Sequence, residues 1–95
     1  MAEATSQHSE VRLYSTQFCP FCVRAKRLLT EKGVRFIDIP VDGEPGKRQE
    51  MIQASGRHTV PQIWIGNLHV GGFDDLWSLE QQGRLQPLLY PTTTI

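Results

Sequence analysis

The stretch Val11-Arg12-Leu13-Tyr14-Ser15-Thr16-Gln17-Phe18-Cys19-Pro20-Phe21-Cys22-Val23-Arg24-Ala25-Lys26-Arg27-Leu28-Leu29 changes periodicity in its middle, and that change decides the fold. Val11 to Ser15 alternates apolar and polar side chains and is rich in strand formers, so it reads as a strand. Pro20 stands where a first helical residue needs no N–H. Phe21, Ala25, Leu28 and Leu29 then recur at helical spacing, and Gly33 marks the helix end. Val34 to Val41 returns to strand-like residues, with Pro40 at its end or on a sheet edge. A strand–helix–strand unit of this kind predicts a right-handed parallel crossover, with both cysteines at the strand-to-helix turn.

Working outward, Asp42-Gly43-Glu44-Pro45-Gly46 is a turn cluster. A second helix is expected over Pro45 to Ser55, with Met51, Ile52 and Ala54 facing inward and Gly56 closing it. Pro61 to Ile65 and Leu68 to Val70 read as two short strands joined across Gly66-Asn67, a hairpin signal. Asp74 or Asp75 can cap a third helix running to about Gln82, with Leu76 and Leu79 on its buried side. Gly83 and Pro87 punctuate the chain beyond that helix. The order βαβαββα places the chain in the α/β class, as a mixed four-stranded sheet flanked by helices. Residues 1–10 read as a flexible polar arm, 11–90 as one domain and 91–95 as a short tail. Phe36 and Trp64 read as strand packing, Trp77 as helix packing and His58 as a solvated loop residue.

Composition narrows the possible functions. A chain of 95 residues that is 39% hydrophobic supports one core. Ten basic and ten acidic residues give a formal net charge of zero, so no global field draws the chain to nucleic acid or an anionic membrane. No apolar run approaches the roughly 20 residues that span a bilayer. Met1 to Glu10 lacks the basic start and apolar stretch of a secretory signal, so the expected compartment is the reducing cytoplasm. There, the two cysteines are expected to be catalytic or metal-binding rather than a structural staple.

A thiolate, not a thiol, attacks a disulfide. Cys19 falls at the N-cap or first turn of the predicted helix, where unpaired backbone N–H groups favour an anion. Arg24, Lys26 and Arg27 add positive charge along that helix, screened by solvent. Comparable motifs lower the cysteine pKa to between about 3.5 and 7.5. Cys22 comes one turn later, on the face shared with Ala25 and Leu29, which should bury it. This reading makes Cys19 the nucleophile and Cys22 the resolving thiol. The alternative is half of a zinc site, for which only His8, His58 and His69 could supplement the cysteines. Their spacing forms no close second pair, so no metal ligands are assigned.

Cys19-Pro20-Phe21-Cys22, Thr59-Val60-Pro61 and Gly71-Gly72-Phe73-Asp74-Asp75 stand together in order. That constellation resembles the glutaredoxins, especially small bacterial dithiol members, over roughly residues 11–89. The resemblance implies a thioredoxin-like fold and glutathione-dependent reduction of protein disulfides and glutathione-mixed disulfides by the Cys19/Cys22 dithiol. Glutathione then serves as co-substrate and no cofactor is tightly bound. The implied partners are glutathione and disulfide-bearing or glutathionylated proteins, served by a monomer.

The resemblance also implies a cis Val60–Pro61 bond, with Thr59, Val60 and Pro61 as the substrate platform beside Phe21. Gly71, Gly72 and Phe73 would bring the backbone and the next helix N-terminus close to the γ-glutamyl carboxylate. Asp74 or Asp75 would meet the ligand's α-ammonium. Arg48 would meet the glycyl carboxylate, with Arg57 a weaker form of the same idea. Three residues depart from the common pattern. Thr16 replaces a Lys found in many relatives, which should raise the Cys19 pKa or weaken carboxylate binding. Phe21 replaces a frequent Tyr, and Phe73 replaces a common Cys or Ser.

Overall fold

The computed structural model describes residues 8–91. Its elements run β1 (Val11–Ser15), α1 (Pro20–Glu31), β2 (Phe36–Pro40), α2 (Pro45–Ser55), β3 (Gln62–Ile65), β4 (Leu68–Gly71), α3 (Phe73–Gln81) and α4 (Leu85–Leu89). The sheet order is β2-β1-β3-β4. β1 pairs parallel with β2, Tyr14 opposite Ile39, and antiparallel with β3, Tyr14 opposite Gln62. β3 and β4 form the hairpin predicted around Gly66-Asn67.

Strand alternation divides the core between two faces. Leu13 and Ile63 point to one side and pack with Ala25, Leu28 and Leu29 of α1, Leu76 of α3, and Leu85 and Leu89 of α4. Their neighbours Tyr14 and Trp64 point to the other side and pack with Met51 of α2. The Tyr14 hydroxyl donates to Glu50 Oε2 at 2.5 Å, tying β1 to α2. Burial first, and the Glu50 carboxylate second, push the Tyr14 pKa up to about 12.

Several expectations change at their edges. β2 is shorter than Val34 to Val41, because the buried Val34 and Val41 bond outside the ladder, to the carbonyls of Leu29 and Ser15. Pro40 ends this edge strand, where its missing N–H costs no pairing. Ala54 is exposed; α2 buries Met51 and half-buries Ile52 against the sheet. Helix α3 starts at Phe73 with Gly72 as its N-cap, and the Asp75 carboxylate reaches back to the Gly72 N–H at 3.0 Å. Neither aspartate is the N-cap itself.

Helix α4 is an addition to the predicted elements. Pro87 reads as a terminator, yet it is the third residue of a short helix, where the N–H needs no intrahelical acceptor. Leu85 and Leu89 lie one turn apart and are both fully buried, so burial carries this helix. Of the arm expected over 1–10, residues 1–7 lie outside the described residues. Ser9 donates from its N–H to Leu89 O at 2.8 Å and from its hydroxyl to Leu88 O at 2.9 Å, joining the chain before β1 to α4. Of the tail expected over 91–95, residues 92–95 also lie outside the described residues.

Candidate active site

The β1-to-α1 turn delivers Cys19 to the N-cap of α1 in extended conformation, with Pro20 next. The Cys22 N–H donates to Cys19 Sγ at 3.1 Å, so a free backbone donor of the first turn is directed at the sulfur. Both cysteines are largely buried, Cys19 with 9% exposure and Cys22 with 1%. The two form a disulfide with their Cα atoms 5.1 Å apart. Cys19 is the more exposed of the two.

Across from Cys19, the loop leading into β3 supplies the opposite wall. Val60–Pro61 is cis, and the Val60 carbonyl oxygen lies 3.9 Å from Cys19 Sγ. Between this loop, Phe21 and the start of α3 runs a groove of about 210 Å³. Phe21, Thr59, Val60, Pro61, Gly72, Phe73, Asp74 and Asp75 all line it, together with Arg57. Phe21 and Phe73 stack across it with ring centroids 6.3 Å apart.

Arg48 is the exception among the candidates. It lies outside the groove lining, and its Nη1 donates to the His58 carbonyl oxygen at 3.4 Å. Arg57, given less weight from sequence, stands in the wall and donates to Asp75 Oδ2 at 3.2 Å. Asp75 therefore serves Gly72 and Arg57 at once. Asp74 is exposed and makes no side-chain hydrogen bond or ion pair among the described residues. Gly71, at φ 115°, lies so close to Asp75 that a Cβ there would collide with the carboxylate.

Two supporting residues lie outside the three motifs. Gln62, fully buried, donates from Nε2 to the Thr59 carbonyl at 3.0 Å and lies 3.3 Å from its hydroxyl. His69 on β4 completes the chain, its Nε2 2.8 Å from Gln62 Oε1. Burial, then the nearby Arg57 charge, lower the His69 pKa from its usual value, with Asp75 opposing them. A single polar residue in the apolar run Gln62-Ile63-Trp64-Ile65 was the available signal, because a buried amide demands partners. Among the described residues no three His, Cys, Asp or Glu side chains gather into a metal-binding cluster.

Comparisons with known proteins give the family and the fold. The glutaredoxin family profile matches residues 11–70. The chain is 53% identical over 81 residues to glutaredoxin 3 of Escherichia coli strain K12, an alignment covering 85% of this chain and 98% of that protein. It is 54% identical over 79 residues to a glutaredoxin of Pseudomonas aeruginosa, covering 83% and 94%. The solution structure of a Brucella melitensis glutaredoxin superposes with a TM-score of 0.79 at 46% identity, covering 94% of this chain and 97% of that one. A buckwheat glutaredoxin–glutathione complex superposes with a TM-score of 0.79 at 30% identity, covering 93% and 83%. An N-cap cysteine bonded to a second cysteine one turn later and the similarity along nearly the whole fold lead to one identification: the chain belongs to the glutaredoxin family and is a glutathione-dependent thiol–disulfide oxidoreductase with Cys19 and Cys22 as its redox pair.

Proposed function

We propose that the protein removes glutathione from glutathionylated proteins and reduces protein disulfides, working as a cytoplasmic monomer. The observation that carries this reading is Cys19 Sγ, aimed at by the Cys22 N–H and 3.9 Å from the carbonyl oxygen of Val60, a residue of the groove wall. The positive end of α1 favours the thiolate form of Cys19 in the reduced protein.

The Cys19 thiolate attacks the glutathione sulfur of a protein–glutathione disulfide. A Cys19–glutathione bond forms, and the protein thiolate leaves and takes a proton from solvent. A second glutathione thiolate then attacks the adduct, giving oxidised glutathione and the Cys19 thiolate. In the dithiol route Cys22 loses its proton and attacks Cys19 Sγ, expelling the bound thiol as the Cys19–Cys22 disulfide forms. Two glutathione molecules reduce that disulfide and leave as one oxidised glutathione.

Within the groove, the γ-glutamyl carboxylate of glutathione takes the N–H groups at the start of α3, where dipole and free donors favour an anion. Asp74 takes its α-ammonium, because Asp75 is already engaged by Gly72 and Arg57. Phe21 and Phe73 cover the apolar part, and the Val60 backbone pairs with the cysteinyl unit. Thr59 and Pro61 shape that wall. The glycyl carboxylate is met by Arg57 or Arg48, of which Arg57 stands in the groove.

The deciding experiment is glutathione-dependent reduction of a small mixed disulfide, coupled to glutathione reductase, for the parent and Cys19→Ser proteins. Turnover that disappears with Cys19 is the expected result. Equal turnover by both proteins, or none by a folded and reduced parent, would refute the reading.

A further inference from the structure

Beside the glutathione groove lies a second, smaller one of about 140 Å³, on the seam between α1 and α3. Phe73 is common to both. From it a row of aromatic rings runs along the seam: Phe21 is 6.3 Å from Phe73, and Phe73 is 6.2 Å from Trp77, with interplanar angles of 30° and 20°. Phe21 is 50% exposed and Trp77 is 45% exposed, so two large apolar surfaces stand in water on one ridge. The sequence reading places Trp77 in helix packing. It lies outside instead, because Leu76 is the α3 residue that fills the core.

Charge distinguishes this ridge from an indifferent apolar patch. Arg24 holds its guanidinium 5.5 Å from the Phe21 ring, and Arg27 comes next at helical spacing along the same groove. Neither makes an ion pair among the described residues, as is also true of Arg12, Arg35, Arg48 and Arg84, but Arg24 and Arg27 alone of these line the groove. Glu31, at the far end, is the one acidic residue of the lining. Two cations sharing a groove with Phe73 and Trp77 suit a ligand with both apolar and anionic groups.

We propose that this seam binds the polypeptide portion of the substrate, selecting an extended segment with an apolar side chain and carboxylates next to its glutathionylated cysteine. The proposal rests on the protein-deglutathionylating function argued above. With glutathione in the first groove, the polypeptide joined to it leaves from the disulfide at Cys19. Phe73 is the shared wall over which that chain passes into the second groove. An apolar side chain then covers Trp77, while its carboxylates meet Arg24 and Arg27. Specificity for the protein half is thereby separated from recognition of the glutathione half.

The test uses two synthetic peptides, each with one glutathionylated cysteine. One carries Leu and Glu beside the cysteine and the other Ser and Lys; the small disulfide of cysteine and glutathione is the reference. The parent should favour the acidic, apolar peptide by about tenfold in kcat/KM, less so as salt is raised. Trp77→Ala should remove most of that preference and leave the reference turnover unchanged. Arg27→Glu should abolish or invert it; because the ratio is taken within one protein, any change in Cys19 reactivity cancels. Equal use of both peptides by the parent would overturn the proposal, as would an equal loss with Trp77→Ala on peptide and reference. A dimer in sedimentation equilibrium that Trp77→Ala dissociates would overturn it too, by assigning the seam to a second copy. Failure of the parent on the reference would instead overturn the function beneath it.

Discussion

Cys19 and Cys22 differ in chemistry because a single helical turn gives them different surroundings. The first caps α1 and keeps a little exposure, and the second is fully buried within the helix's first turn. Cys22→Ser should therefore retain deglutathionylation, which needs only Cys19 and glutathione, while losing reduction of dithiol protein disulfides to the background. Parallel assays on a small mixed disulfide and on a protein disulfide separate the two outcomes. A second residue-scale prediction concerns Asp74, which makes no ion pair among the described residues and faces the groove. Asp74→Asn should raise KM for glutathione about threefold to tenfold with kcat little changed, the range expected for a charged hydrogen bond at an exposed site. Because Asp75 is tied to Gly72 and Arg57, Asp75→Asn should also lower thermal stability, which Asp74→Asn should not.

At the scale of elements, α4 shows how burial overrides a local breaker. Leu85 and Leu89 are fully buried in the core cluster shared with α1 and α3. Leu85→Ala should cost about 3 kcal/mol in urea unfolding, the usual magnitude for a buried leucine, with the turnover of the folded enzyme preserved because α4 lies outside the groove lining. The Leu85-Gln86-Pro87-Leu88-Leu89 run holds too few residues for a periodicity and carries a proline, so its helical state was not legible. The β1–α1–β2 unit was legible because each element exposes its period over a longer run: Leu13 against Tyr14 for the strand, Ala25, Leu28 and Leu29 for the helix. Of the site, the cysteine turn was readable because the period changes from strand to helix around Pro20, whereas the roles of Thr59-Val60-Pro61 and Gly71-Gly72 were readable only through the resemblance to the glutaredoxins. The Gln62–His69 support and the place of Arg57, rather than Arg48, in the groove wall were not readable. Both depend on which loop faces which helix, and no spacing along the chain encodes that.

Over the whole molecule, the Gln62–His69 chain links the hairpin to the loop opposite Cys19, so protonation at one end of β4 bears on the stability of the fold. In the unfolded chain His69 takes up a proton near the usual value of about 6.5. In the folded protein its pKa lies lower, because burial and then Arg57 disfavour the imidazolium more than Asp75 favours it. Between the two values the unfolded chain binds more protons, so lowering the pH through this interval draws the equilibrium toward unfolding. The contribution is complete above about pH 6.5 and is lost progressively as pH falls from there through the lower folded value. The parent should therefore lose stability relative to His69→Gln as urea titrations move from pH 8 to pH 5, since glutamine offers a polar group without a titrating charge. A difference between the two proteins that stays constant across that range would show that His69 acts only by packing against Trp64, whose ring centroid lies 4.6 Å from its own. The opposite trend, with the parent gaining on His69→Gln as the pH falls, would mean that the fold favours the imidazolium, and that the nearby Asp75 carboxylate outweighs both burial and Arg57.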